Sequence, residues 1–195
     1  MDNYTTDERL KKIFDFILEI DKEKEIFRQT YLADASRKEN DSEHAWHMAI
    51  MTVLLSEYAN EEIDVLKTVT MLLIHDLVEI DAGDTYAYDE EAKKTQAARE
   101  KAAADRIFSL LPDDLAVKFR SLFDEFEARE SKEAKFARTM DNIQPIMLNA
   151  ASDGKSWAEK GVHLSQILER NRRTSEGSSS LWDFEPNIEK GRIKR

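Results

Sequence analysis

Val69-Thr70-Met71-Leu72-Leu73-Ile74-His75-Asp76-Leu77-Val78-Glu79 puts an imidazole and a carboxylate inside a run that is apolar nearly all round. Such a run, continuing from about Ile63, predicts a buried central helix reaching Val78. Burying either polar group there costs several kcal/mol unless it finds a partner. Asp76, between Leu72-Leu73-Ile74 and Leu77-Val78, is the sharper case. A divalent cation satisfies neutral imidazole nitrogens and ionised carboxylates together, so that the cost becomes binding energy. The plainer readings are a buried salt bridge or helix cap for Asp76 and a hydrogen-bonded core histidine for His75. A two-residue motif alone does not choose between them.

Working outward, helical periodicity recurs on both sides. Leu10, Ile13, Phe14, Ile17 and Leu18 predict a first helix starting near Thr6. Ile26 to Asn40 is irregular and polar. Ser42 is a candidate N-cap for a helix that places His44, His47, Met48, Met51, Leu54, Leu55 and Tyr58 on one face. After a loop at Gly83-Asp84-Thr85-Tyr86 comes a charged helical segment from Glu90 to about Leu111, ended by Pro112. Further helices follow, one holding Phe119, Leu122, Phe123 and Phe126, and one from Ser131 to about Ala151 carrying Phe136, Met140, Ile143 and Met147. A shorter helix lies around Val162 to Glu169. With only 5 Gly and 3 Pro, turn chemistry for an all-β fold is lacking. The expectation is an all-α, single-domain helical bundle over residues 1–170. Polar, Ser-rich Asn171 to Ser180 reads as a mobile link to a tail carrying Leu181, Trp182 and Phe184, so that 171–195 forms an appendage.

Composition narrows function. A formal net charge of −11 repels phosphate backbones and argues against nucleic-acid polymers and anionic membranes, while a local metal and a few arginines can still hold a small phosphorylated molecule. The absence of cysteine excludes disulfides, thiolate metal sites and cysteine nucleophiles. Met1 to Leu10 is polar and no apolar run has membrane-spanning length, so the chain reads as cytoplasmic.

Of the 4 histidines, 3 fall in two short stretches, Glu43-His44-Ala45-Trp46-His47 and Ile74-His75-Asp76. The order His44, then His75-Asp76, then Asp141 resembles the HD-domain superfamily of metal-dependent phosphohydrolases. The strings Arg37-Lys38-Glu39-Asn40-Asp41-Ser42-Glu43-His44 and His75-Asp76-Leu77-Val78-Glu79-Ile80-Asp81-Ala82-Gly83-Asp84 resemble the bacterial branch that includes 5′-deoxynucleotidases. The resemblance implies a helical domain over most of the chain, with His44, His75, Asp76 and Asp141 as ligands of one divalent metal ion. Such a donor set suits Mn, Co, Fe, Ni or Zn. It further implies Glu79 as the group that orients or deprotonates water, Asp84 as an acid serving water or the leaving group, and Arg28, with Arg37 as a second candidate, as holders of the substrate phosphate. The structural alternatives are a surface charge for Glu79 and a turn residue for Asp84. His47 is either a neighbour of the site or a packed core histidine, and His163 is structural or exposed.

Two observations refine the resemblance. Arg28-Gln29-Thr30 lacks the Trp that follows the corresponding Arg in the deoxynucleotidase branch, so sugar discrimination does not carry over. No His lies between Asp76 and Asp141, which by family pattern implies a mononuclear site suited to phosphomonoesters. Pro145 cannot donate to the Asp141 carbonyl, which predicts a kink beside the last ligand unless Pro145 begins a new helix. The implied substrate is a small phosphorylated molecule, a nucleoside 5′-monophosphate first of all, and the implied assembly a homo-oligomer such as a dimer. A nucleoside triphosphate or non-nucleotide phosphate as substrate, a non-catalytic metal- and nucleotide-binding sensor, and an all-α scaffold remain the alternatives.

Overall fold

In a computed structural model, which describes residues 7–183, the chain is a helical bundle with one short two-stranded ribbon. Helix α1, Glu8–Ile20, is capped by Asp7, whose carboxylate accepts from the Arg9 and Leu10 amides. The start expected near Thr6 lies outside the described residues. Only Phe16 of α1 is buried; Phe14, Ile17 and Leu18 stay exposed.

The segment expected to be irregular instead forms antiparallel strands β1, Phe27–Tyr31, and β2, Lys38–Asn40, with Phe27 opposite Asn40 and Tyr31 opposite Lys38. Strand alternation turns Arg28 and Thr30 to one face of β1. The ribbon runs directly into α2, Asp41–Leu55, because Asn40 rather than Ser42 is its N-cap. Asn40 and Glu43 make a reciprocal capping box: the Glu43 amide donates to Asn40 Oδ1 at 2.9 Å and the Asn40 amide to Glu43 Oε2 at 3.1 Å. This fixed entry aims His44, Met48 and Met51 inward, while Leu54, expected on that face, is exposed.

The central run departs from a single helix. Helix α3, Val65–Ile74, gives way to a 3₁₀ turn over His75–Val78 and then to the short α4, Glu79–Ala82. A 3₁₀ interruption inside a helical run is a recurring mark of a functional position. Gly83, at φ 74° and ψ 149°, ends α4 in a backbone conformation that glycine adopts without steric cost. Helices α5, Glu90–Phe108, and α6, Asp113–Ala128, follow. The 20-residue α7, Lys132–Ala151, contains Pro145 in its interior, so Pro145 does not open a new helix. Helices α8, Lys155–Lys160, and α9, Leu164–Asn171, complete the bundle. Among the described residues no helix is long and apolar enough to cross a membrane.

The core divides in two. One cluster gathers Met48, Met71, Leu72, Phe126, Phe136 and Met140; the other gathers Phe16, Ile74, Leu77, Val78, Ile107 and Phe108. His75 and Asp76 lie on the stretch of backbone that joins them. Fully buried Phe126 and Phe136 each contribute roughly 2–3 kcal/mol of hydrophobic stabilisation, so the site sits on rigid ground.

Asn171 to Ser180, expected as a mobile link, is packed. Asn171, Thr174 and Ser178 are buried. Thr139 Oγ1 donates to the Thr174 carbonyl at 2.9 Å, and the Asn60 amide to the Gly177 carbonyl at 2.9 Å. Side-chain hydrogen bonds to backbone make a polar sequence dockable without an apolar stripe, which is why composition misread it. Of the tail, Phe184 and the residues after it lie outside the described residues. A Cβ added at Gly177 would overlap the Lys135 carbonyl and Thr139 Oγ1. Gly177→Ala should therefore lower stability in urea denaturation by about 1–3 kcal/mol, the usual range for overpacking; an unchanged midpoint would mean that this segment is not seated on α7.

Candidate metal centre

Three elements deliver the polar cluster. His44 comes from the first turn of α2, His75 and Asp76 from the 3₁₀ turn, and Asp141 from the middle of α7, all of them buried. One ligand atom each of His44, His75 and Asp141 lies within 4.8 Å of the other two. His44 Nε2 is 3.2 Å from Asp141 Oδ1, and His75 Nε2 is 3.9 Å from the same oxygen and 3.0 Å from Asp76 Oδ1.

The neighbours of these groups decide which atoms face one another. Gln144 Nε2 donates to Glu39 Oε2 at 2.8 Å, so Gln144 Oε1 is left to accept, and it does so from His44 Nδ1 at 2.9 Å. His44 therefore carries its proton on Nδ1 and turns a lone pair on Nε2 toward the Asp141 carboxylate. Burial, helped by the charge of Arg28, holds the His44 pKa down at about 4, so the ring is neutral. Two acceptors 3.2 Å apart repel unless a cation lies between them. His75 repeats the pattern: Nδ1 donates to the Leu72 carbonyl at 2.9 Å and the buried Nε2 has no hydrogen-bond partner among the described residues. Burial works to lower the His75 pKa, but Asp76 and Asp141 outweigh it and raise it to about 9. A proton there does in part what a divalent ion would do fully. Two imidazoles and a carboxylate converging on one point are a donor set that, once His75 gives up its proton, fits a borderline divalent metal.

Acidic groups crowd the same wall. Burial pushes Asp41 up to about 7, with Asp76 adding to it, and drives Glu79 well above the usual carboxylate range, with Asp76 and Asp41 reinforcing the effect. Asp84 is raised by burial although Arg28 opposes it. Asp76 and Asp141 go the other way: burial would raise them, but His75 and Arg28 hold Asp76 ionised, and the charges of Arg138 and His75 hold Asp141 ionised. Glu79 sits four residues after His75, and Arg99 of α5 grips the loop that carries Asp84 through the Ala82 carbonyl and Thr85 Oγ1.

These groups open onto a cavity of about 440 Å³, lined by Arg28, His75, Asp76, Glu79, Asp84 and Asp141 together with Arg129 and Arg138. Arg28 is spanned by carboxylates, donating to Asp76 Oδ2 at 2.8 Å and Asp41 Oδ1 at 3.2 Å. Arg37 does not join them. It is half-exposed, pairs with Glu43 at 2.8 Å and braces the cap of α2. His47 stands 3.2 Å from Gln144 at the outer end of the Glu39–Gln144 chain. His163 is exposed.

A sequence model of the HD domain family matches residues 20–182. The chain belongs to the HD domain family. A crystal structure titled as a predicted metal-dependent phosphohydrolase from Magnetospirillum magnetotacticum MS-1 superposes with a TM-score of 0.88 at 44% identity, covering 92% of this chain and 90% of that one. Human 5′-deoxynucleotidase HDDC2 is 31% identical over 114 residues, 58% of this chain and 54% of its own. The Xenopus laevis protein of that name is 30% identical over 122 residues, 63% of this chain and 57% of its own. The chain thus spans little more than half the length of these curated relatives.

For this HD domain chain, sequence reasoning did not single out Gln144, Arg138 or Asp41. Gln144 and Arg138 lie three residues either side of Asp141 on one helix, so helical spacing around a candidate ligand was the signal that could have found them. Replacing Gln144 by the nearly isosteric Leu frees His44 to change tautomer. Groups that orient a metal-bound imidazole are worth about 10–100-fold in metal affinity. Gln144→Leu should therefore weaken divalent-ion binding, measured by calorimetry, by a factor in that range; equal affinity would show that the amide does not orient His44.

Proposed function

We propose that this chain hydrolyses a small phosphomonoester, a nucleoside 5′-monophosphate of the deoxy series that its curated relatives' names specify. The observation that supports it best is the convergence of His44, His75 and Asp141, with His75, Asp76 and Asp141 lining a cavity of about 440 Å³, room enough for such a molecule. His44, His75, Asp76 and Asp141 would hold one divalent ion, as the sequence implied. When bound, such an ion polarises a phosphoryl oxygen and makes nearby water more acidic.

The remaining work falls to the protein. Glu79 is buried, lines the cavity and has a pKa lifted by burial, then Asp76 and Asp41, which makes it a stronger base than an ordinary carboxylate for taking a proton from attacking water. Asp84, lifted by burial, keeps a proton more readily and is suited to hand it to the departing 5′-oxygen. Arg28 keeps Asp76 ionised and presents positive charge to the phosphate from β1. Substrates of this kind are met in the cytoplasm, and a homo-oligomer would cover the exposed Trp46, Ile50, Val53 and Leu54 of α2.

Protein supplied in turn with Mn, Co, Ni or Zn should release inorganic phosphate from deoxynucleoside 5′-monophosphates; silence across that panel would end this reading. Glu79→Gln should cut kcat by about 100-fold or more while the ion's effect on Tm persists. Arg37→Gln should leave kcat/KM within about twofold, because loss of an exposed ion pair is a small perturbation.

A further inference from the structure

The cavity holds positive charge beyond that of Arg28. Arg129 follows α6 in the left-handed region, at φ 57° and ψ 33°, where glycine is the ordinary choice. Arg129 lines the cavity, yet its guanidinium makes no hydrogen bond and no ion pair within 4.0 Å among the described residues. Burial, together with the like charge of Arg138, bears down on its pKa. Arg138 reaches the same cavity from α7, lying 4.0 Å above the Phe126 ring with Nη1 3.0 Å from Asp141 Oδ2, and Nη2 donating to Glu127. Its buried Nε has no partner. Arg28, by contrast, is committed to Asp76 and Asp41, and Arg37 to Glu43 at the surface.

We infer that Arg129 and Arg138 form an oxyanion-binding subsite that takes the substrate's phosphate beside Asp141. Two guanidinium groups brought together on a confined wall repel each other until an anion is shared between them, and a tetrahedral oxyanion presents several acceptor oxygens to such a pair. Arg138 is already anchored by Phe126, Asp141 and Glu127 and supplies the fixed half. Arg129 supplies the half whose hydrogen-bonding capacity is unspent. The inference deepens the phosphohydrolase reading and rests on it for the identity of the anion.

The test uses Arg129→Gly, which removes the guanidinium while suiting the left-handed backbone, so that the variant should fold with an equal or higher Tm. Inorganic phosphate is titrated calorimetrically into Mn-loaded wild type, Arg129→Gly, Arg129→Lys and the exposed control Arg172→Gln. Phosphate affinity should fall about tenfold in Arg129→Gly, recover in part with Lys, and stay unchanged in the control, with Mn affinity equal in all four. KM for a deoxynucleoside monophosphate should rise by a similar factor with kcat within about threefold. Phosphate affinity within twofold of wild type in Arg129→Gly, or a fall in kcat alone, would overturn the subsite. Wild type that turns over no nucleotide, alongside an Arg129→Gly protein that still loses phosphate affinity, would sink the nucleotidase reading and leave the subsite standing.

Discussion

The structure turns on a repulsion. His44 Nε2 and Asp141 Oδ1 face each other as acceptors at 3.2 Å in a buried place, and His75 Nε2 points into the same space without a hydrogen bond. An all-protein solution would have reversed one tautomer or replaced one carboxylate. Instead the fold spends hydrogen bonds to hold the conflict in place: the Leu72 carbonyl fixes His75, and Gln144, itself fixed by Glu39, fixes His44. An arrangement so over-determined is compatible with a cation that relieves it.

The secondary structure serves that constraint. A regular helix through Val78 would set Asp76 about 100° and Glu79 about 40° round the axis from His75. The 3₁₀ turn changes those angles, and all three line one cavity. The ribbon of β1 and β2 does a related job, because strand alternation lets Arg28 and Glu39 reach inward from neighbouring strands while Asn40 caps α2. Pro145 leaves the Asp141 carbonyl without its usual helical donor in the turn that also bears Gln144.

What could be read from the residues alone follows from how local each cause is. The helices and the conflict at His75-Asp76 were legible because apolar periodicity and a charge inside it are properties of a dozen neighbouring residues. The ribbon was not, since Phe27–Tyr31 is stabilised by pairing with residues 38–40 and by Arg28 reaching Asp76, 48 positions away. The docked segment around Thr174 was missed for the same reason: its partners, Asn60 and Thr139, are distant in sequence, and polar docking leaves no hydrophobic pattern. Arg37 was the converse error of proximity, a basic residue close to the motif in sequence whose carboxylate partner, Glu43, is closer still in space.

A net charge of −11 and the anionic substrate proposed here are reconcilable by range. At physiological ionic strength charges beyond roughly 8 Å are largely screened, so an arriving phosphate responds mainly to the cavity wall. There the carboxylates nearest the cluster are divided by protonation: Glu79, Asp41 and Asp84 are pushed toward the neutral form by burial, while Asp76 and Asp141 keep their charge against histidines and arginines. The acid density of the chain thus gives way, inside, to carboxylates that burial holds nearer the neutral form, beside arginines that line the same cavity. Burial, by selecting which acids ionise, would let a chain of this acidic composition admit the single phosphate proposed for it.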